Sequence, residues 1–197
     1  SVSITERKQL IILGDDVIYP QAFKAYENFK KKNKLISEGE DFDKIQEVTE
    51  NIKKAIKVFY KNDKRADPTS NFRWEVILID NKEIKNAWCM PGGKMAVYSG
   101  ILDIANNENA LAALMGHEIA HAVARHGSER ASQGVLIDLG TMALEKLILG
   151  QPLSGDSRRL YEYFANFGLM LPFSRSHETE ADYLSLIHIS EPTRQSL

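Results

Sequence analysis

Apolar residues recur at three-to-four spacing through the first third of the chain. After Pro20, the positions Phe23, Tyr26 and Phe29 mark one face of a helix reaching about Lys34, with Pro20 in its first turn. A break at Ser37-Glu38-Gly39-Glu40 follows. Ile45, Val48, Ile52, Ala55, Ile56 and Phe59 then trace a second, strongly amphipathic helix. The lysines between them (Lys44, Lys53, Lys54, Lys57, Lys61) read as its solvated face rather than as a stripe for a membrane or a partner. Residues 64–70 (KRADPTS) form a loop. From Phe72 the texture changes to FRWEVILID, a turn at Asp80-Asn81, IKNAWCM, Pro91-Gly92-Gly93 and KMAVYS, which predicts about three strands of a small antiparallel sheet. Helix returns from Ile101, with Asn107 as N-cap for ENALAALMGHEIAHAVARH and Gly127 closing that helix. Two more helices are expected over about Ser128–Leu149 and Ser157–Met170, and Pro172 separates a last one beginning near Ser174. The fold class is α+β, mainly helical with a small antiparallel sheet.

A length of 197 residues suits one domain. Lys and Arg number 25 against 27 Asp and Glu, so the net charge of −2 leaves no basic footprint for nucleic acid. The single cysteine, Cys89, excludes an internal disulfide and a cysteine-rich metal site, and reads as a packing residue. The most apolar run, Gly134 to Gly150, carries Asp138, Glu145 and Lys146 in its body, which suits a buried amphipathic helix better than a membrane span. The chain starts at Ser1 rather than methionine, as it would if an N-terminal leader had been removed or left out.

The chemistry is concentrated in His117-Glu118-Ile119-Ala120-His121. Residues four apart share a helix face, so both imidazoles can reach one ion. Zinc takes neutral imidazole nitrogen in tetrahedral sites and, where it is catalytic, keeps one position open for water. Glu118, one residue after the first histidine, can reach that water and act as its base. The apolar flanks (Leu111, Leu114, Ile119, Ala120, Val123) put the motif on a largely buried helix, where two imidazoles need partners.

A third ligand is needed. His126 lies nine residues from His117, and an uninterrupted helix would turn it to the opposite face, where Arg125 and His126 would meet the helix C-terminus instead. The better source is Ser174–Asp182 (SRSHETEAD). Glu178 and Asp182 share a helix face, so one can bind the metal while the other accepts the second N–H of a ligand histidine. Glu180 points elsewhere.

With these residues in view, the chain resembles a family of gluzincin zinc peptidases. That family includes the CAAX prenyl endopeptidases, the HtpX heat-shock protease and the Oma-type mitochondrial protease. The resemblance rests on HEIAHAVARHG and SRSHETEAD. It is extended by Asn86-Ala87-Trp88-Cys89-Met90-Pro91-Gly92-Gly93, Val97 and Gly100, which are similar to the family's N-A-F-x-x-P-G-G strand, and by Arg7-Lys8-Gln9-Leu10. The last looks like the start of the compact branch found largely as bacterial cell-envelope lipoproteins. The resemblance implies a zincin-like metallopeptidase domain over residues 1–183 with one zinc ion. It makes His117, His121 and Glu178 the ligands, Glu118 the catalytic base, and Asp182 the partner of a ligand histidine. It implies protein or peptide substrates, which could add as an extra strand beside Asn86–Met90. It also implies a role in envelope protein quality control and peripheral membrane association through a removed lipid anchor. The expected setting is the bacterial cell envelope, with the mitochondrial inner membrane as the alternative.

Residues 184–197 depart from the family. LSLIHISEPTR resembles the translation of a transposon-end adapter used in sequencing libraries, so this tail is expected to be non-native and the domain to be truncated near Tyr183. Ser190 and Pro192 are expected to interrupt the ligand helix. Two other classes of function remain beside the endopeptidase: an envelope scaffold with a structural zinc, against which Glu118 argues, and a hydrolase of a non-peptide substrate.

Overall fold

In the computed structural model, residues 2, 4–149, 156–169 and 172–194 are described. Helix α1 spans Asp15–Lys32, strand β1 Leu35–Ile36, α2 Glu40–Asp63, β2 Glu75–Ile79, β3 Ala87–Met90 and β4 Lys94–Tyr98. Helices α3 (Glu108–Val123), α4 (His126–Leu149), α5 (Asp156–Ala165) and α6 (Arg175–Arg194) follow, with short 3-10 turns at Ser99–Asp103 and Phe167–Leu169.

The strand order is β1-β2-β4-β3, and the sheet is mixed, because β2 and β4 run parallel. An all-antiparallel sheet of three strands was the sequence expectation. The apolar runs locate β2, β3 and β4 but carry no pairing information, and β4 folds back between β2 and β3 instead of outside them. The turn that returns it uses Gly92 and Gly93 at φ 83° and 82°, a region costly to any other residue. Strand β1, between the predicted end of the first helix and the break at Ser37, pairs antiparallel with β2.

Helices cover both faces of the sheet. Val76, Leu78, Cys89, Met95 and Val97 face a core completed by Ile45, Ile52 and Ile56 of α2 and Leu111, Met115 and Ile119 of α3. Ile77, Ile79, Trp88, Met90 and Ala96 face a second core with Ile18, Ala22 and Tyr26 of α1, Ala131 and Val135 of α4, and Leu160 and Phe164 of α5. Burial on both faces explains why β2 reads Val-Ile-Leu-Ile without polar alternation. In α2 the buried side is Ile45, Val48, Thr49, Ile52, Ile56 and Tyr60, while Ala55 and Phe59 are half-buried.

Three helix ends differ from expectation. Helix α1 begins at Asp15, so Pro20 is its sixth residue; two aspartates in the first turn suit the positive helix end and carry the start upstream. Asn107 caps α3 as expected, its side chain accepting from Ala110 N–H at 2.9 Å. Gly127, however, does not close α3. That helix ends at Val123, and Arg125 takes the left-handed conformation at φ 61°. Gly127 lies in the first turn of α4, where a Cβ would sit 3.2 Å from Pro91 and 3.3 Å from Phe167, so close approach is its reason. Finally, α6 continues through Ser190 and Pro192 to Arg194. Only two helical residues follow the proline, which therefore removes a bond from the fraying end of the helix.

Among the described residues no helix is long and apolar enough to cross a membrane. In the run of residues 134–150, expected to be a buried amphipathic helix, Val135 is buried and Leu136 and Ile137 are exposed, and the side chains of residues 141–150 lie outside the described ones.

Candidate metal centre

Helices α3 and α6 pack against each other and carry the site. Their seam is built from small residues, Ala120 on α3, Ala124 just past its end and Ala181 on α6, closed by Leu184 and Val2. Alanines let the helix backbones approach, which brings the first two turns of α6 alongside the His117–His121 face.

There His117 Nε2 lies 3.1 Å from Glu178 Oε2 and 3.1 Å from His121 Nε2, and His121 Nε2 lies 3.5 Å from Glu178 Oε2. These three donors are the group of His, Asp and Glu side chains that could hold a metal ion among the described residues. Ligand atoms about 2.0–2.1 Å from a tetrahedral ion stand about 3.3 Å from one another, so the triangle has the size of one face of such a site. Two neutral nitrogens and one carboxylate oxygen are a donor set suited to a divalent transition ion, and the fourth corner is left for another ligand. Asp182 is not in the trio. Its Oδ1 lies 2.8 Å from His117 Nδ1, the nitrogen turned away from the other donors.

His121 is 3% exposed and tightly held. The Phe173 ring stacks on it at 4.3 Å and 20°, and the guanidinium of Arg130 lies over the other side of Phe173, 4.0 Å from the ring centre. Burial, then the nearby His126 and His117, push the His121 imidazole far below its ordinary value, so it stays neutral and its nitrogen free for a metal at neutral pH. Glu118 lines the same cleft. Burial, then the charge of Glu178, push its carboxyl up to about 8.

The cleft, about 290 Å³, also has β3 as a wall, through Asn86, Ala87 and Trp88. Strand β3 is the edge of the sheet. Tyr98 N–H donates to Asn86 C=O, so the antiparallel alternation turns the Ala87 N–H and C=O away from β4. The Asn86 side chain accepts from that outward Ala87 N–H at 2.9 Å.

One residue stands elsewhere than expected, and a second finds a partner that the sequence did not show. His126 does not meet the C-terminus of α3; it is fully buried behind His121, with their Nδ1 atoms 2.8 Å apart. Its phase was extrapolated along a helix that in fact stops at Val123. Glu180 faces away from the donor trio as expected, and there it meets His126 Nε2 at 2.7 Å. Burial first, partly offset by Glu180, lowers His126 to about 4. Helical phase in the sequence sets both aside as ligands but does not pair them with each other.

A donor trio at the wall of a cleft, a histidine backed by a carboxylate and a glutamate lining the same cleft are the features of the metallopeptidase class. Within it, the profile of Peptidase family M48 matches residues 44–195, and the chain belongs to that family. It is 41% identical over 123 residues, 62% of the chain, to the mitochondrial metalloendopeptidase OMA1 of Schizosaccharomyces pombe, covering 34% of that protein. It is 29% identical over 194 residues, 93% of the chain, to the human mitochondrial metalloendopeptidase OMA1, covering 35% of it. It is also 28% identical over 113 residues, 55% of the chain, to the beta-barrel assembly-enhancing protease of Escherichia coli, covering 23% of it. The chain thus spans about a third or less of the length of these relatives.

Proposed function

We propose that this chain carries the catalytic site of a zinc metalloendopeptidase. The observation that carries the reading is the triangle of His117 Nε2, His121 Nε2 and Glu178 Oε2, with sides of 3.1, 3.1 and 3.5 Å. Zinc held there supplies Lewis-acid polarisation of a peptide carbonyl and of a water molecule. Glu118 takes the proton of the attacking water and passes it to the departing amine. Asp182 accepts the Nδ1–H of His117 and so fixes the tautomer that offers Nε2. An extended substrate pairs with the outward groups of Ala87, replacing the Asn86 side chain at its N–H. Proteins or peptides are the substrates. The proposed setting is the bacterial cell envelope, in protein quality control with peripheral membrane attachment; the mitochondrial inner membrane is the alternative that the OMA1 likeness favours.

The test is zinc stoichiometry with cleavage of an unfolded protein such as casein. One zinc per chain and cleavage abolished by a chelator and restored by zinc are expected. A zinc-loaded, folded chain that cleaves no peptide bond in casein or in a peptide library would remove the endopeptidase reading.

A further inference from the structure

Behind the donor trio lies a buried polar cluster that peptide hydrolysis leaves without a task. Its centre is Arg7, far from the site in sequence. Arg7 Nε donates to Glu180 Oε2 at 2.6 Å, and the Thr5 hydroxyl donates to the other oxygen of that carboxylate. The outer nitrogens of Arg7 grip Glu129, at 2.6 Å to Oε2 and 3.2 Å to Oε1. Each carboxylate in turn holds an imidazole: Glu180 holds His126 Nε2 at 2.7 Å, and Glu129 holds His177 Nε2 at 3.1 Å. The two imidazoles stack on each other at 4.2 Å. One guanidinium therefore neutralises two buried carboxylates, and one of those leads through His126 to His121.

Proton counting gives this chain a direction. The Nδ1 atoms of His121 and His126 are 2.8 Å apart and share one proton. If His121 Nε2 gives its lone pair to a metal, the neutral ring carries its proton on Nδ1 and donates to His126. His126 must then accept at Nδ1 and hold its own proton on Nε2, which it donates to Glu180. A proton on His126 Nδ1 would set N–H against N–H between two rings closed off from solvent. Glu180 as an acceptor anion is costly to bury unless a cation pairs with it, and Arg7 is that cation. The contact of the Gln9 side chain with the Ala124 carbonyl, at the end of α3, fixes the N-terminal segment in place beside this cluster.

We propose that Arg7 is a positioning residue for the metal centre: by holding Glu180 it keeps the His126 proton on Nε2, so that His126 accepts from His121 and leaves His121 Nε2 to the ion. The proposal rests on the reading of His121 as a metal ligand. It differs from a plain structural ion pair in fixing a proton position two residues away.

The experiment uses the zinc-loaded chain and two readouts, histidine 15N NMR and zinc affinity by chelator competition. In the wild type, His121 Nε2 should show the metal-bound shift and His126 the neutral Nε2–H tautomer. Arg7→Met should lower zinc affinity about 10-fold or more and leave His126 distributed between tautomers. Arg7→Lys, which restores a point charge without the fork, should recover part of both. A folded Arg7→Met protein with wild-type zinc affinity and an unchanged His126 tautomer would overturn the proposal. So would a wild type in which His126 carries its proton on Nδ1, a result independent of whether Arg7→Met folds. Zinc absent from His121 Nε2 would instead sink the ligand assignment beneath it, and the two failures give different spectra.

Discussion

Asp182→Asn isolates the contribution of a carboxylate behind a proposed ligand histidine, because little else depends on that side chain. Asp182 is 68% exposed, and its Oδ1 lies 2.8 Å from His117 Nδ1. Asparagine keeps an acceptor oxygen there and removes only the charge. A hydrogen bond to a charged group contributes about 1.5–3 kcal/mol and a neutral one about 0.5–1.5, so the change should cost about 1 kcal/mol. Exposure to solvent screens the interaction and holds the loss to the lower end of that range. Zinc affinity should therefore fall about five-fold or somewhat less, with little change in the melting temperature of the metal-free chain. Competition against a chelator of known affinity at low and at 0.5 M salt is the assay, and the gap between variant and wild type should narrow with salt. A loss beyond about 100-fold would mean that Asp182 binds the ion itself, contrary to its place outside the trio. Unchanged affinity at low salt would mean that the contact does not orient His117 at all.

Glu118→Gln should keep zinc bound while turnover of casein falls about 100- to 10,000-fold, since an amide cannot take the water's proton; near-normal turnover in a metal-replete variant would end its role as the base. Glu178→Gln should weaken zinc binding sharply, and an unaltered affinity would require another third donor. Glu75 tests the sheet instead of the site: burial would raise its carboxyl, but hydrogen bonds from Lys30 and Lys94 outweigh that and hold it below its ordinary 4.5. A folded value below the unfolded one means stability that is present above about pH 4.5 and lost as the pH falls through the folded value. The stability advantage of wild type over Glu75→Gln should thus be full at neutral pH and vanish in acid, which denaturant melts at a series of pH values would show; an advantage that grew in acid would refute it.

The elements were legible where burial is one-sided and periodic. In α2, isoleucines and valines three and four apart marked the buried face, and the same residues form the core against the sheet. The strands were legible as apolar runs, yet not their arrangement: Val76 to Ile79 is apolar throughout because helices cover both faces, and such a run does not say which strand lies beside it. Strand β1, two residues long, has no period to read. The HExxH spacing located two donors because a helix fixes their separation. Helical phase within α6 set Glu178 and Asp182 on one face, about 40° apart around the axis, and Glu180 elsewhere; the family resemblance then chose Glu178 over Asp182.

The rear of the site was illegible for a definite physical reason. Phase arithmetic from His117 to His126 assumes one continuous helix, and a single residue breaks it. Arg125 stands at φ 61°, a conformation costly for a side chain with a Cβ, and Asp15 on α1 holds its guanidinium. The turn at Arg125 starts α4 in a new direction and brings His126 back beneath His121. No local rule places a left-handed arginine between two helix-forming stretches, because the contact that holds it comes from more than a hundred residues away. Helix α6 then divides its sides between the two ends of the site. Glu178 and Asp182 face His117, Ala181 and Leu184 lie on α3, and His177 and Glu180 face His126 and Arg7. A shift of α6 along α3 would therefore move the front donor and the rear proton acceptor together. The alanine seam thus holds the front donor Glu178 and the rear acceptor Glu180 in step, which is a physical reason for small residues at Ala120, Ala124 and Ala181.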